Sequence, residues 1–305
     1  MTKRRVSLSP EVQGRIDQFV ESVDTRLASN EDTAAVVQEV LARLHGDGGV
    51  YDRWQSGNQI STDEQVRLDA YDPRRVTVKA DHWAETDAEQ FQKSKPLQWL
   101  WKGFDVSPLA RDLAIGIPFR QMIANHLFAE AGEDLQLFHG ITFSYGHNIE
   151  MGDRTVVHGD VLLDDRGELE VGNRVSIAEG ATIHSHGHDI VDQTDVSIYR
   201  TVIEDDARLA SDSMIGAGSR VGRNAMVGAK SVVHGNVPNH HVAVGTPAKS
   251  VKVKPGWESV TDDPGTLEDD REERHIEYTL SDDVERIDEF QRNLTPPDAD
   301  DMPDS

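Results

Sequence analysis

The chain has 305 residues, with 55 acidic against 31 basic, a formal net charge of −24 and no cysteine. So negative a field excludes general electrostatic binding of nucleic acid. The missing cysteines exclude disulfides, thiolate metal ligands and a cysteine nucleophile.

The N-terminus, MTKRRVSLSPEVQ, is basic but lacks the apolar run of a signal peptide. No stretch approaches about 18 uninterrupted apolar residues, so no membrane span is expected and the protein reads as cytoplasmic. Residues 9–45 predict two helices. Ser9 offers an N-cap with Pro10 in the first turn, and Val12, Ile16, Phe19, Val20, Val23 and Leu27 recur at helical spacing. A second stripe runs from Val36 through Val37, Val40, Leu41 and Leu44 and stops at Gly46. Residues 46–105 are mixed and poorly periodic. Their most aromatic stretch, PLQWLWKGF at 96–104, is expected to be a docking core, because aromatic side chains contribute mainly buried area. Residues 106–131 predict a further helix ending at Gly132.

From about residue 135 the period changes to six. The units IEDDAR, LASDSM, IGAGSR, VGRNAM and VGAKSV begin at Ile203, Leu209, Ile215, Val221 and Val227, with Val233 next. Their fifth residues, Ala207, Ser213, Ser219, Ala225 and Ser231, are all small. Val171, Ile177 and Ile183 carry the same register upstream, as do Met151, Val157 and Leu163. A period of six suits neither a helix nor one long strand. It suits a solenoid in which each unit makes a short strand and a tight turn, and successive coils stack their leading residues into an apolar column. The expected fold is therefore mainly β, a parallel β-helix of hexapeptide repeats behind an α-helical N-terminal region. The repeat breaks after Ile183: 20 residues separate it from Ile203, so HSHGHDIVDQTDVSIYRTV is expected to leave the coil as a loop. The tail from Glu258 holds 18 acidic and four basic residues. It is expected to be partly disordered, with a short amphipathic helix at DDVERIDEFQRNL. The domain division is 1–134, 135–257 and 258–305.

The segment VGAKSVVHGNVPNHHVAVGTPAKSVK at 227–252 resembles the closing coil of the hexapeptide-repeat acyltransferases, and the block at 149–189 resembles their maltose and galactoside O-acetyltransferase branch. That resemblance implies a left-handed β-helix, a homotrimer with sites between neighbouring helices, acetyl-CoA as co-substrate and a sugar or polyol acceptor. In the branch, a strand reading V-T-I-x-x-x-x-H ends on the catalytic base; Thr182 and Ile183 stand in that frame and the matching histidine is His188. An imidazole titrating near neutrality suits removal of a hydroxyl proton during attack on a thioester. His184 and His186 stand where the family carries other residues and read as bystanders, with no metal expected. The family's coenzyme A contacts fall on Ser211, Ala229, Lys249 and Lys252, with Lys254 following; three of nine lysines lie within six residues. His158 stands where the branch carries an acceptor-side asparagine. Asp165 is kept from the neighbouring acidic pair, while Arg166 replaces the next position and Arg208 replaces a tryptophan. The composition resembles that of cytoplasmic proteins of salt-loving archaea. Two other readings stay open: a γ-class carbonic anhydrase, whose histidine spacing His158 with His184, His186 or His188 does not reproduce, and a non-catalytic scaffold.

Overall fold

The structure, a computed structural model, describes residues 8–83, 85–191, 195–259 and 273–274. Among the described residues six α-helices precede the solenoid: α1 Pro10–Leu27, α2 Thr33–Leu44, α3 Gly48–Gln55, α4 Thr62–Tyr71, α5 Ala88–Asp105 and α6 Leu113–Leu127. Ser9 caps α1, its hydroxyl accepting from the Val12 amide at 3.4 Å, and Pro10 occupies the first turn where no N–H is needed. Val36, Val37, Val40 and Leu41 of α2 are buried against α5, and α1 lies against α6. The poorly periodic stretch 46–105 thus resolves into α3, α4 and α5. The aromatic run lies in α5, where Leu97, Leu100, Trp101 and Phe104 are buried in one core cluster with the solenoid. The helix expected at 106–131 is shorter. It is α6 alone, and Glu130–Ala131 already pairs in parallel with Glu150–Met151 as the first strand of the solenoid.

Three parallel ladders wrap about the axis. One inward column runs Met151, Val171, Ile203, Val221, Val237; the second Leu137, Val157, Ile177, Leu209, Val227, Ala243; the third Phe143, Leu163, Ile183, Ile215, Val233. All are buried, as are the small corner residues Ala207, Ser213, Ser219, Ala225 and Ser231. The corner between the first and second faces repeats a left-handed residue at Arg154, Arg174, Asp206, Asn224 and His240, which turns the chain sharply enough to start the next face. The outward residues differ by face. The first carries Glu150, Glu170, Val202, Arg220 and Asn236, whereas the third carries Thr142, Leu162, Thr182, Met214 and Val232, with no charge.

The helices are bolted to the first coil by a buried ion pair. The Arg120 guanidinium in α6 donates to Asp105 Oδ1 at 2.7 and 2.5 Å and to the carbonyls of Ala110 and Leu137. The second oxygen of Asp105 accepts the Gly140 amide at 2.8 Å. At the far end, Ala248–Val253 folds back antiparallel on His241–Gly245. Of the acidic tail beyond residue 259, only Glu273–Arg274 is described, pairing its backbone with Ile198–Tyr199. The expected helix and disorder there lie outside the described residues.

Candidate active site

The corner between the third and first faces carries the break in the repeat. The expected loop is a hairpin, with His186–His188 pairing antiparallel to Val196–Ile198. Its second strand, Val196–Ile203, runs on into the first face of the next coil. The root of the hairpin is stitched to the coil beneath. Ser185 Oγ donates to the Asp164 carbonyl at 2.6 Å and accepts the Gly167 amide at 2.8 Å, and the Tyr199 amide donates to the Ser185 carbonyl at 2.8 Å. Gly167 is glycine because a Cβ there would overlap the Tyr199 carbonyl oxygen and lie 2.7 Å from that of Ser185. Gly167→Ala is expected to push the hairpin off its root and lower turnover by about 10²-fold, since misplacement of the order of 1 Å has that effect. Steady-state kinetics on a variant with wild-type circular dichroism measures this, and unchanged turnover would count against the hairpin as the carrier of chemistry.

His188 ends the first hairpin strand and is exposed. Two residues back on the same side of the strand, the His186 ring meets it edge-to-face, with centroids 5.3 Å apart and planes at 83°. His186 Nδ1 is hydrogen-bonded to Asp164 Oδ2. Asp164 is 3% exposed; it also accepts the Ser144 hydroxyl at 2.7 Å and the Ser185 amide at 3.1 Å. Burial raises its pKa, but the His186 contact and those two donors outweigh burial and hold the carboxyl below its usual range. His184 Nδ1 stands 4.0 Å from the same Oδ2, and burial followed by its neighbour His186 pulls its pKa down, against the attraction of Asp164.

Asp165 points inward and is fully buried. Its two oxygens accept the backbone amides of Ser144, Tyr145, Gly146 and Asn148, at 2.9, 2.8, 2.6 and 3.3 Å. Burial pushes its pKa up to about 7 against the pull of those donors. Its oxygens therefore fix the turn 144–148. That turn, the start of α5 and the hairpin enclose a cavity of about 230 Å³ whose lining includes Glu85, Gln90, Tyr145, Asn148, Arg166 and Tyr199. Arg166 pairs with Glu85 and lies over the Trp83 ring, 4.6 Å from its centroid. The Tyr199 ring passes from this cavity towards the hairpin: a Cβ on Gly187, between His186 and His188, would lie 3.9 Å from its edge.

His147, also on the cavity wall, stacks on Tyr145 with centroids 5.0 Å apart and shares a 2.7 Å hydrogen bond with Ser94 Oγ. Burial pulls its pKa down to about 4. Its folded value lies below its unfolded value of 6.5, so the unfolded chain binds more protons and stability falls as pH drops from 6.5 towards 4. In urea titrations across that range the stability advantage of wild type over His147→Phe is expected to shrink on acidification. A difference independent of pH would contradict the burial of a neutral ring.

The remaining expected residues lie on another edge. His158, Ser211 and Ala229 stand at the corner between the second and third faces, where the amide of Lys230 donates to the Ser211 carbonyl at 3.0 Å from the next coil. His158 stacks on Phe138 at 5.1 Å and pairs with Glu179 at 3.3 Å. Lys249 and Lys252 are exposed on the closing strand of the second face. The chain thus gathers His188, Asp164 and Asp165 on one edge and His158, Ser211 and Ala229 on the next. Asp164 and Tyr199 were not singled out by sequence reasoning, and His186 was read as a bystander. Leu163 pairs with Ile183, so counting one coil forward from Asp164 would have found His184 and its neighbour. Among the described residues no three histidines or carboxylates are grouped to hold a metal ion.

No family model matches the chain. It is 26% identical over 137 residues to a galactoside O-acetyltransferase of Escherichia coli, a match covering 44% of this chain and 68% of that protein. It is 29% identical over 119 residues to a probable acetyltransferase of Mycobacterium tuberculosis, covering 37% of this chain and 40% of the relative. In fold it is similar to a crystal structure of a maltose O-acetyltransferase from Clostridium difficile, with a TM-score of 0.50 and 22% identity, over 58% of this chain and 98% of the other. Coil, corner and closing strand define a hexapeptide-repeat β-helix protein. In sequence the chain is similar to these acetyltransferases, and in fold to a maltose O-acetyltransferase.

Proposed function

We propose that the protein is a coenzyme A-dependent O-acyltransferase that moves an acetyl group from acetyl-CoA to a hydroxyl of a sugar or polyol, with His188 as the general base. The observation that carries this is the hairpin. It rises from the corner at the 20-residue break in the repeat and carries the exposed His188 on one strand, while its other strand gives Ile198, Tyr199 and Arg200 to the wall of a polar, aromatic-lined cavity. Carboxylate, amide and tyrosine groups on one wall suit an acceptor that is hydroxylated and uncharged. Asp165 contributes by holding the 144–148 turn of that wall.

In the reaction, His188 takes the hydroxyl proton as the acceptor oxygen attacks the thioester carbonyl carbon. The tetrahedral intermediate collapses with cleavage of the carbon–sulfur bond, and the imidazolium returns the proton to the departing thiolate. Ser211 and Ala229 line the edge along which coenzyme A runs, and Lys249 and Lys252, exposed and without an ion pair among the described residues, meet its phosphates.

Because those residues and His188 stand on different edges, the site is completed by a neighbouring copy in a homotrimer, with His158 on the acceptor side of the shared groove. The uncharged outward column of the third face, with Leu162, Met214 and Val232, supports self-association. The carboxylate excess fits a cytoplasmic protein working in concentrated salt. The chain divides into a helical region at 1–134, a β-helix at 135–257 that shares a buried core with it, and an acidic tail at 258–305. The test is a screen of sugars and polyols with acetyl-CoA at high salt, following free thiol. Acceptor-dependent release is expected; an enzyme releasing no thiol with any acceptor is not an O-acyltransferase of this class.

A further inference from the structure

Three imidazoles crowd one corner, and the proposed chemistry uses only His188. His184 and His186 stand where the resemblance offers no role, yet the structure gives His186 a buried, hydrogen-bonded carboxylate. Asp164 is held on three sides: by the Ser144 hydroxyl from the coil below, by the Ser185 amide at the hairpin root, and by His186. Its main chain is tied to the same hairpin root, where its carbonyl accepts from Ser185 Oγ. A carboxylate so fixed sets both the tautomer and the orientation of the imidazole bonded to it. His186 Nδ1 is the donor, and the ring plane is fixed by the bond. The edge-to-face contact then passes that orientation on, since the His186 ring is fixed at 83° to the His188 ring and blocks part of its rotation. Tyr199 lies on the other side of the strand, where a Cβ on Gly187 would stand 3.9 Å from its ring.

We infer that His186, locked by Asp164, is a positioning residue for the His188 imidazole: an Asp–His pair that aims the base without touching substrate. This rests on the reading of His188 as the base. The edge-to-face packing of a fixed ring against the His188 imidazole restricts the orientations that imidazole can take. The same arrangement explains why a buried carboxylate is maintained at this corner when its neighbour Asp165 already caps the turn below.

The test uses two complementary substitutions, with acetyl-CoA and the best acceptor from the sugar panel, and with acetyl-CoA hydrolysis to water as a second readout. His186→Phe keeps a ring beside His188 but loses the donor to Asp164. His186→Asn keeps a donor near the Nδ1 position but loses the ring. Both are expected to lower kcat about tenfold, with KM for acetyl-CoA nearly unchanged and with wild-type circular dichroism. Placed on His188→Ala, neither is expected to lower the residual rate further, because the pair acts only through that base. A purely structural anchor predicts instead that His186→Asn restores kcat, and that result overturns the inference. So does a second tenfold loss on the His188→Ala background, or turnover within twofold of wild type in both single variants. If His188→Ala alone matches wild type, the base assignment falls and the inference with it. If His188→Ala is impaired while both His186 variants are not, only the inference falls.

Discussion

Replacing His188 with alanine lowers kcat for acyl transfer by about 10²–10⁴-fold and leaves coenzyme A binding within about twofold. The size follows from the step the imidazole serves. A sugar hydroxyl is a poor nucleophile while protonated, and the thiolate is a good leaving group, so proton removal during attack is the costly part of the barrier. Binding is spared because the residues proposed to hold the cofactor stand on another edge of the prism, at Ser211 and Ala229 and on the closing strand at Lys249 and Lys252. Isothermal titration with coenzyme A and stopped thiol assays separate the two quantities. A variant that loses binding and turnover together would place His188 in the cofactor wall instead.

Arg120→Met destabilises the fold by about 3–5 kcal/mol, the largest loss of stability expected from one substitution. The guanidinium is 0% exposed and answers Asp105 along with the carbonyls of Ala110 and Leu137. Methionine fills much of the space yet leaves Asp105 as a charge answered by the Gly140 amide in place of a cation. The double variant Arg120→Met with Asp105→Leu recovers much of the loss, because removing both charges also removes the desolvation they impose. Urea unfolding measures both. If the single variant costs less than about 1 kcal/mol, the Arg120–Asp105 pair is not what fastens the helices to the first coil.

The solenoid is legible because every sixth side chain has one destination. Ile203, Leu209 and Ile215 fall on three successive faces, and 18 residues, three units, return the chain from Ser211 to Ala229 on the same edge. The N-terminal half lacks so simple a rule. In α5, Phe91, Leu97, Leu100, Trp101 and Phe104 are buried against several partners at once, so no single stripe marks the helix, and α3 and α4 are too short to show a period. The frame that selects His188 reads one strand. It says nothing about Asp164, which lies 22 residues before His186 and becomes its neighbour only through the stacking of coils. Nor does it reveal that His186–His188 pairs antiparallel with Val196–Ile198, because that local pairing leaves no six-residue mark. The second aspartate of the pair shows the same limit from the other side. Asp165 matches an acceptor-side position by alignment, whereas its geometry spends both oxygens on main-chain amides.

The most direct measurement is the mass of the acceptor recovered after incubation with acetyl-CoA and either wild-type protein or His188→Ala. The account predicts an O-acetyl ester formed in step with free coenzyme A by wild type and nearly absent with the variant. Equal ester in both samples, or none with wild type across sugars and polyols, would contradict it.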